Sequence, residues 1–247
     1  MQAQPLRLVT RDAPPATALG PLQQVLQNGS LYPVFQPIVN LADASIHAHE
    51  ALIRGPAGSP LHTPDCLLRA AAQEDLRYEF ENACVVSTLR HWGHMRSGGR
   101  LFVNISANAL VRVFNLRGRE GLLRWILDLR VMPRTLVLEI TEHERVDSMD
   151  RLAEVVQEIR SAGVSLALDD FGDGHSSLRL WSQLKPEIVK IDKYFTRNIS
   201  AHGDKLKTIQ ALQQIATIFG SSLVAEGIET AEDLRVLRDL GIEYGQG

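Results

Sequence analysis

The chain is expected to fold as an α/β protein, a TIM-like (β/α)8 barrel with an antiparallel first strand. Short apolar runs alternate with helical patterns along most of its length, which implies a mainly parallel sheet with right-handed crossovers. Eight such runs in 247 residues suit a closed barrel better than an open sheet. The first two runs are separated only by Asn40 to Ser45, too short for a parallel crossover, so they should pair as a hairpin. An open doubly wound sheet is the alternative, but no Gly-x-Gly-x-x-Gly turn follows an early strand.

Residues Met1 to Gly20 mix Arg7 and Arg11 with Pro14-Pro15 and lack an apolar signal core. They read as a flexible lead-in to one domain over residues 21–247. The expected strands are Pro33 to Val39, Ile46 to Ile53, Leu101 to Ile105, Leu136 to Ile140, Val164 to Leu168, Ile188 to Ile191, Ser222 to Ala225 and Ile242 to Tyr244. Between them, Pro64 to Gln73 reads as a helix with Thr63 as N-cap and Pro64 in its first position. Glu74 to Met95 follows as a longer helix ended by Ser97-Gly98-Gly99. Further helices are expected over Glu120 to Leu129, Ser148 to Ser161, Ser176 to Leu184, Lys205 to Phe219 and Thr230 to Leu240, each closed by a nearby Gly or Pro. The last begins with the capping pattern Thr230-Ala231-Glu232-Asp233.

Composition narrows the partners. With 45% hydrophobic residues the chain can bury a substantial core, and a net charge of -3 gives no global attraction to a DNA or RNA polymer or to an anionic membrane. An anionic ligand must therefore be held by local charges. Arg117, Arg119 and Arg124 read as a solvated face, not a nucleic-acid patch. Cys66 and Cys84 form neither a disulfide framework nor a zinc spacing, which fits a reducing, cytoplasmic setting. No apolar run approaches transmembrane length, so no membrane contact is expected.

The chemistry gathers at the strand ends. Asp169-Asp170 closes the apolar run Val164 to Leu168 and opens the turn Phe171-Gly172-Asp173-Gly174. Adjacent carboxylates at the mouth of a buried strand repel each other unless cations compensate. In a barrel the functional groups project from the C-terminal strand ends. There the sequence places Glu50, Asn104, Glu139 with Glu142, Asp169 with Asp170, Lys190 with Asp192, Glu226 with Glu229, and Gln246. The set is acid-rich and holds no histidine or cysteine at a ligand position. Hard oxygen donors select Mg²⁺ or Mn²⁺ over zinc or copper. The carboxylates exceed the needs of one ion, so two ions are expected, an arrangement suited to in-line displacement at phosphorus.

Taken singly, each residue has a plainer reading. Asp169-Asp170 could open a turn or cap a helix, Glu50 could face solvent, and Asn104 could form a turn. Lys190 could snorkel at a strand end, Asp192 could cap the next turn, and Glu142 and Glu229 could brace loops. His47 and His49 share a face opposite Ala48 and Glu50 and read as packing or surface residues. His91 and His94, beside Trp92, read as structural.

Together the motifs resemble the EAL-domain family of bacterial cyclic di-GMP phosphodiesterases. The resemblance runs from about Tyr32 to Gly247 through Gln36-Pro37-Ile38, Glu50-Ala51-Leu52, Asn104-Ile105-Ser106, Glu139-Ile140-Thr141-Glu142 and Asp169-Asp170-Phe171-Gly172. It continues through Lys190-Ile191-Asp192, Ala225-Glu226-Gly227-Ile228-Glu229 and Gln246-Gly247. It implies that Glu50, Asn104, Glu139 and Asp169 hold one metal ion and that Asp169, Asp170 and Glu226 hold the other. It also implies that Lys190 contacts the attacking water, that Gln246 hydrogen-bonds near it, and that Glu142 braces the loop after Asp170. Arg54 would contact a substrate phosphate, Gln36 a guanine, and Asp192 the substrate, with Glu229 in a structural role. The implied reaction converts cyclic di-GMP to linear 5′-pGpG. Homodimerisation and fusion to sensory or GGDEF-type domains are the family's habit.

Some features depart from the family. Its members continue beyond the position of Gly247 with a final helix, so a truncated C-terminus lacking that helix is expected. Asp173 stands where threonine is common, His175 where tyrosine is common, and Gly55 to Leu61 replaces a stretch that usually opens with tryptophan. A catalytically weak or inactive cyclic di-GMP receptor is the competing function, and a regulatory module acting through dimer contacts is compatible with either. Degenerate members usually lose a metal ligand or the lysine, and none of these is missing here.

Overall fold

Eight strands close into one barrel in chain order: β1 (Tyr32–Asn40), β2 (Ile46–Arg54), β3 (Arg100–Asn104), β4 (Leu136–Thr141), β5 (Ser165–Phe171), β6 (Ile188–Ile191), β7 (Ser222–Ala225) and β8 (Tyr244–Gly245). The computed structural model describes residues 19–95, 98–141, 146–172 and 177–247. β1 runs antiparallel to both its neighbours, β2 and β8, while every other pairing is parallel. The barrel therefore closes through its one inverted strand, as the short hairpin loop requires.

Among the described residues the α-helices are α1 (Pro21–Gln27), α2 (Pro64–Gln73), α3 (Arg77–Met95), α4 (Ala107–Asp128), α5 (Met149–Ser161), α6 (Ser177–Leu184), α7 (Lys193–Thr196), α8 (Gly203–Phe219) and α9 (Ala231–Asp239). α5 shows why they pack where they do. Leu152, Val155, Val156 and Ile159 recur at helical spacing on one buried face, and Ser148 caps the helix by accepting from the Arg151 N–H. Each such buried aliphatic side chain contributes roughly 1.5–3 kcal/mol.

Several boundaries differ from expectation for identifiable reasons. α3 begins at Arg77 and not at Glu74, because Asp75 adopts φ 54° and breaks the helix. Glu74 instead accepts hydrogen bonds from the N–H groups of Leu22 and Gln23, at 2.8 and 3.0 Å, and so holds the start of α1. α4 begins thirteen residues before Glu120, at Ala107, and kinks where Gly118 takes φ 62°. Thr63 occupies the N-cap position of α2, but its side chain makes no capping bond. β8 is shorter than expected and starts at Tyr244.

The barrel interior fixes where the site falls. Ile38, Ala48, Phe102, Val137, Ala167, Ile188 and Val224, one from each of β1 to β7, form a buried apolar cluster, with Tyr244 of β8 packed against it. Strand side chains alternate faces with period two. Two residues toward the C-terminal mouth, the next inward positions are therefore Glu50, Asn104, Glu139, Asp169, Lys190, Glu226 and Gln246. On the inverted β1 the matching position is Gln36, paired in register with Glu50. His47, at the opposite end of β2, stacks on Tyr244 with ring centroids 3.9 Å apart, and His49 packs beside Trp92 on the outer face.

Candidate metal centre

Lys190 stands at the centre of the polar layer. Its Nζ lies 2.9 Å from Glu50 Oε2, 3.0 Å from Glu139 Oε1, 2.9 Å from Asp169 Oδ1 and 2.7 Å from Glu226 Oε1. Lys190 and Glu139 are 1% and 0% exposed, so these charges meet in a region of low dielectric. Gln246 joins the cage from β8, its Nε2 donating to Glu50 Oε2 and Glu226 Oε1, both at 2.8 Å. Asn104 donates more weakly to Glu50 Oε1, at 3.4 Å.

One ammonium cannot satisfy this cage. It has three protons for four carboxylates. Beyond its ion pairs with Lys190, the cage leaves buried oxygens such as Glu139 Oε2 and Gln246 Oε1 with no hydrogen-bond partner among the described residues. Burial pushes the Glu139 carboxyl well above its usual range, against the pull of Lys190. Burial also pushes Glu226 up to about 7, with Asp169 adding to the effect. For Glu50, burial opposes the charged form, yet Lys190, Gln246 and Asn104 together hold its carboxyl below the usual range. Burial disfavours the charged form of Lys190 too, but the surrounding carboxylates overcome it and raise its pKa well above the ordinary value.

Two triads emerge from this crowding. Glu50, Glu139 and Asp169 can each present an oxygen within 4.8 Å of the others, and so can Asp169, Asp170 and Glu226. Asp169 belongs to both. Consecutive strand residues normally face opposite ways, so the presence of Asp170 beside Asp169 needs explanation. The β5–β6 register breaks between Leu168 and Phe171, and Asp170 adopts φ 53°, a left-handed conformation that interrupts the strand alternation where the two carboxylates come within 4.8 Å. Gly172 follows at φ 107°, where an added Cβ would lie 2.2 Å from Phe195 Cε2. The orphaned oxygens and the all-oxygen donor set fit hard divalent cations.

A cavity of about 380 Å³ is lined by Glu50, Asn104, Glu139, Asp169 and Asp170 together with apolar groups such as Leu52, Leu68 and Phe80. The remaining candidates sit around this centre. Arg54, at the end of β2, donates to the Ile53 carbonyl at 2.9 Å. Asp192 caps α7, its Oδ1 accepting from the Tyr194 N–H at 2.7 Å. Glu229 pairs with Arg197, both half-exposed. Glu142, Asp173 and His175 lie outside the described residues. The structure adds one residue that sequence reasoning missed. Glu81 of α3 also lines the cavity, and its Oε2 accepts from Ser106 Oγ at 2.5 Å and Ser106 N at 3.3 Å. Its partner is 25 residues away, and no local pattern marks it.

A closed barrel whose C-terminal mouth gathers oxygen donors around a buried lysine defines a class of α/β barrels suited to holding cations. Residues 20–247 match the EAL domain family, and the chain belongs to it. It is 33% identical over 235 residues to the probable cyclic di-GMP phosphodiesterase PdeB of Escherichia coli K12, covering 92% of this chain and 43% of that protein. BlrP1 of Klebsiella pneumoniae, solved as a manganese and cyclic di-GMP complex, superposes with a TM-score of 0.79 at 30% identity over 88% of this chain and 54% of that one. A standalone EAL protein of Vibrio cholerae O395 in its cyclic di-GMP-bound form gives 0.76 at 27% identity, over 88% of this chain and 89% of that one. The chain spans less than half the length of the curated relatives named as phosphodiesterases. No helix among the described residues is long and apolar enough to cross a membrane.

Proposed function

We propose that the chain hydrolyses one phosphodiester bond of cyclic di-GMP to linear 5′-pGpG, using two divalent cations, Mg²⁺ or Mn²⁺. The observation that carries the reading is the pair of triads sharing Asp169. Glu50, Asn104, Glu139 and Asp169 would hold one ion, and Asp169, Asp170 and Glu226 the other. When bound, the ions would lower the pKa of the attacking water and neutralise the phosphate.

The chain's own groups supply the rest. Water adds to phosphorus opposite the 3′ oxygen, the bond to that oxygen breaks, and the departing oxygen takes a proton. Lys190, protonated among its carboxylates, acts as a donor that orients the water and offsets charge building on the phosphoryl oxygens. Gln246, fixed through Nε2, leaves Oε1 to accept a hydrogen bond from the water. Arg54 would contact a phosphate and Gln36 a guanine. Asp192 would use the carboxylate oxygen that does not cap α7. The same reading makes the chain a cytoplasmic domain that works as a homodimer, attached to sensory or GGDEF-type domains. The greater length of its relatives supports the last point.

Chromatography of cyclic di-GMP incubated with the protein tests this. Conversion to pGpG with Mn²⁺ or Mg²⁺, stopped by chelator, is expected. Nucleotide that binds and stays intact over hours would replace the enzyme with a receptor.

A further inference from the structure

We propose that Glu81 is a positioning residue for Asn104, acting through Ser106; the inference rests on the two-cation reading above. Asn104 is the weakest-held member of the cage. It is exposed, and its bond to Glu50 spans 3.4 Å, too long to fix an amide by itself. Its orientation must come from the backbone that carries it.

That backbone is clamped on two sides. The Ile105 N–H donates to the Glu139 carbonyl at 3.0 Å, tying the turn to β4. Ser106 then takes up both capacities of its hydroxyl. Its Oγ accepts from the Ala109 N–H at 3.1 Å, capping α4, and donates its single proton to Glu81 Oε2 at 2.5 Å. The Ser106 N–H donates to the same carboxylate oxygen at 3.3 Å. Glu81 comes from α3, so the turn between Asn104 and α4 is pinned from a separate element of the barrel wall. Loss of this clamp frees the turn and lets the Asn104 amide drift from the place where a cation would meet it.

A purely structural cap would affect melting alone, so the test reads metal affinity. Protein stripped with chelator is titrated with Mn²⁺ and followed by electron paramagnetic resonance, alongside thermal melting. Glu81→Gln keeps an oxygen acceptor for Ser106 and should stay within about threefold of wild-type affinity, whereas Glu81→Leu should weaken one of the two sites by about tenfold or more. Ser106→Ala, which leaves Glu81 in place, should weaken the same site in the same direction. Adding Glu81→Leu to Asn104→Ala should cost no further affinity, since both act on one ligand. Wild-type affinity in Glu81→Leu with a lower melting temperature would reduce Glu81 to a cap. Equal losses in Glu81→Gln and Glu81→Leu would assign the effect to charge. Both results overturn the proposal without touching the proposed reaction, whereas a wild-type protein that binds no Mn²⁺ takes both down.

Discussion

The two inward layers of the barrel lie two residues apart on each strand, yet they differ in almost every property. The lower layer is apolar, from Ile38 and Ala48 to Val224, and needs nothing beyond its own packing. The upper layer holds Glu50, Glu139, Asp169, Lys190, Glu226 and Gln246 and leaves buried oxygens without a hydrogen-bond partner among the described residues. One turn of the strand pleat separates a self-sufficient core from a cage whose oxygen donors fit divalent cations. The division of labour teaches that stability and chemistry are placed on the same strands but not on the same residues.

Substitutions in the two layers should therefore have opposite signatures. Phe102→Ala opens a cavity in the fully buried lower layer and should cost about 3–5 kcal/mol in denaturant unfolding. The molecules that remain folded should bind Mn²⁺ as before. Lys190→Ala should lower turnover by about 10²–10³ while cyclic di-GMP still binds. Steady-state rates alongside equilibrium binding would check it, and retained turnover would remove the proposed role of the lysine.

The upper layer should also carry the pH dependence. Glu226 is raised from the ordinary carboxyl range to about 7, so the metal-free fold holds an extra proton across that window. The stability this contributes is fully present below the ordinary carboxyl pKa and is lost as pH rises through about 7. Mn²⁺ needs the deprotonated group, so its affinity should rise from about pH 6 to pH 8 with proton release on binding. Calorimetry in two buffers of different ionisation enthalpy measures that release, and Glu226→Gln should flatten the profile. The smallest effect is expected outside both layers. Thr230→Ala removes the cap of α9, where Thr230 Oγ1 accepts from the Asp233 N–H at 3.1 Å, and should cost about 1 kcal/mol with no change in metal binding.

Much of this contrast was legible in the chain itself. Strand periodicity located β6 and β7 to the residue, and the inverted β1 followed from a hairpin loop too short for a crossover. The acids, amide and lysine were legible because they punctuate apolar runs at their C-terminal ends. What escaped were interactions carried by tertiary contact. Glu74 continues a helical pattern in sequence, but Asp75 breaks the helix and Glu74 serves α1, fifty-one and fifty-two residues away. The first half of α4 was hidden because the kink at Gly118 restarts the helical phase. Glu81 resembles any acid on a charged helix until Ser106 arrives beside it. The pairing of Asp169 with Asp170 was visible, but the register break that brings them to one side was not.

Counting bound Mn²⁺ in wild type and in three variants bears on the shared edge between the two triads. Equilibrium dialysis with metal analysis should find two ions per wild-type chain, one in Glu50→Gln, one in Asp170→Asn, and none held tightly in Asp169→Asn. A single ion in the wild type, or an Asp169→Asn variant that loses only one, would contradict a two-cation cage built around Asp169.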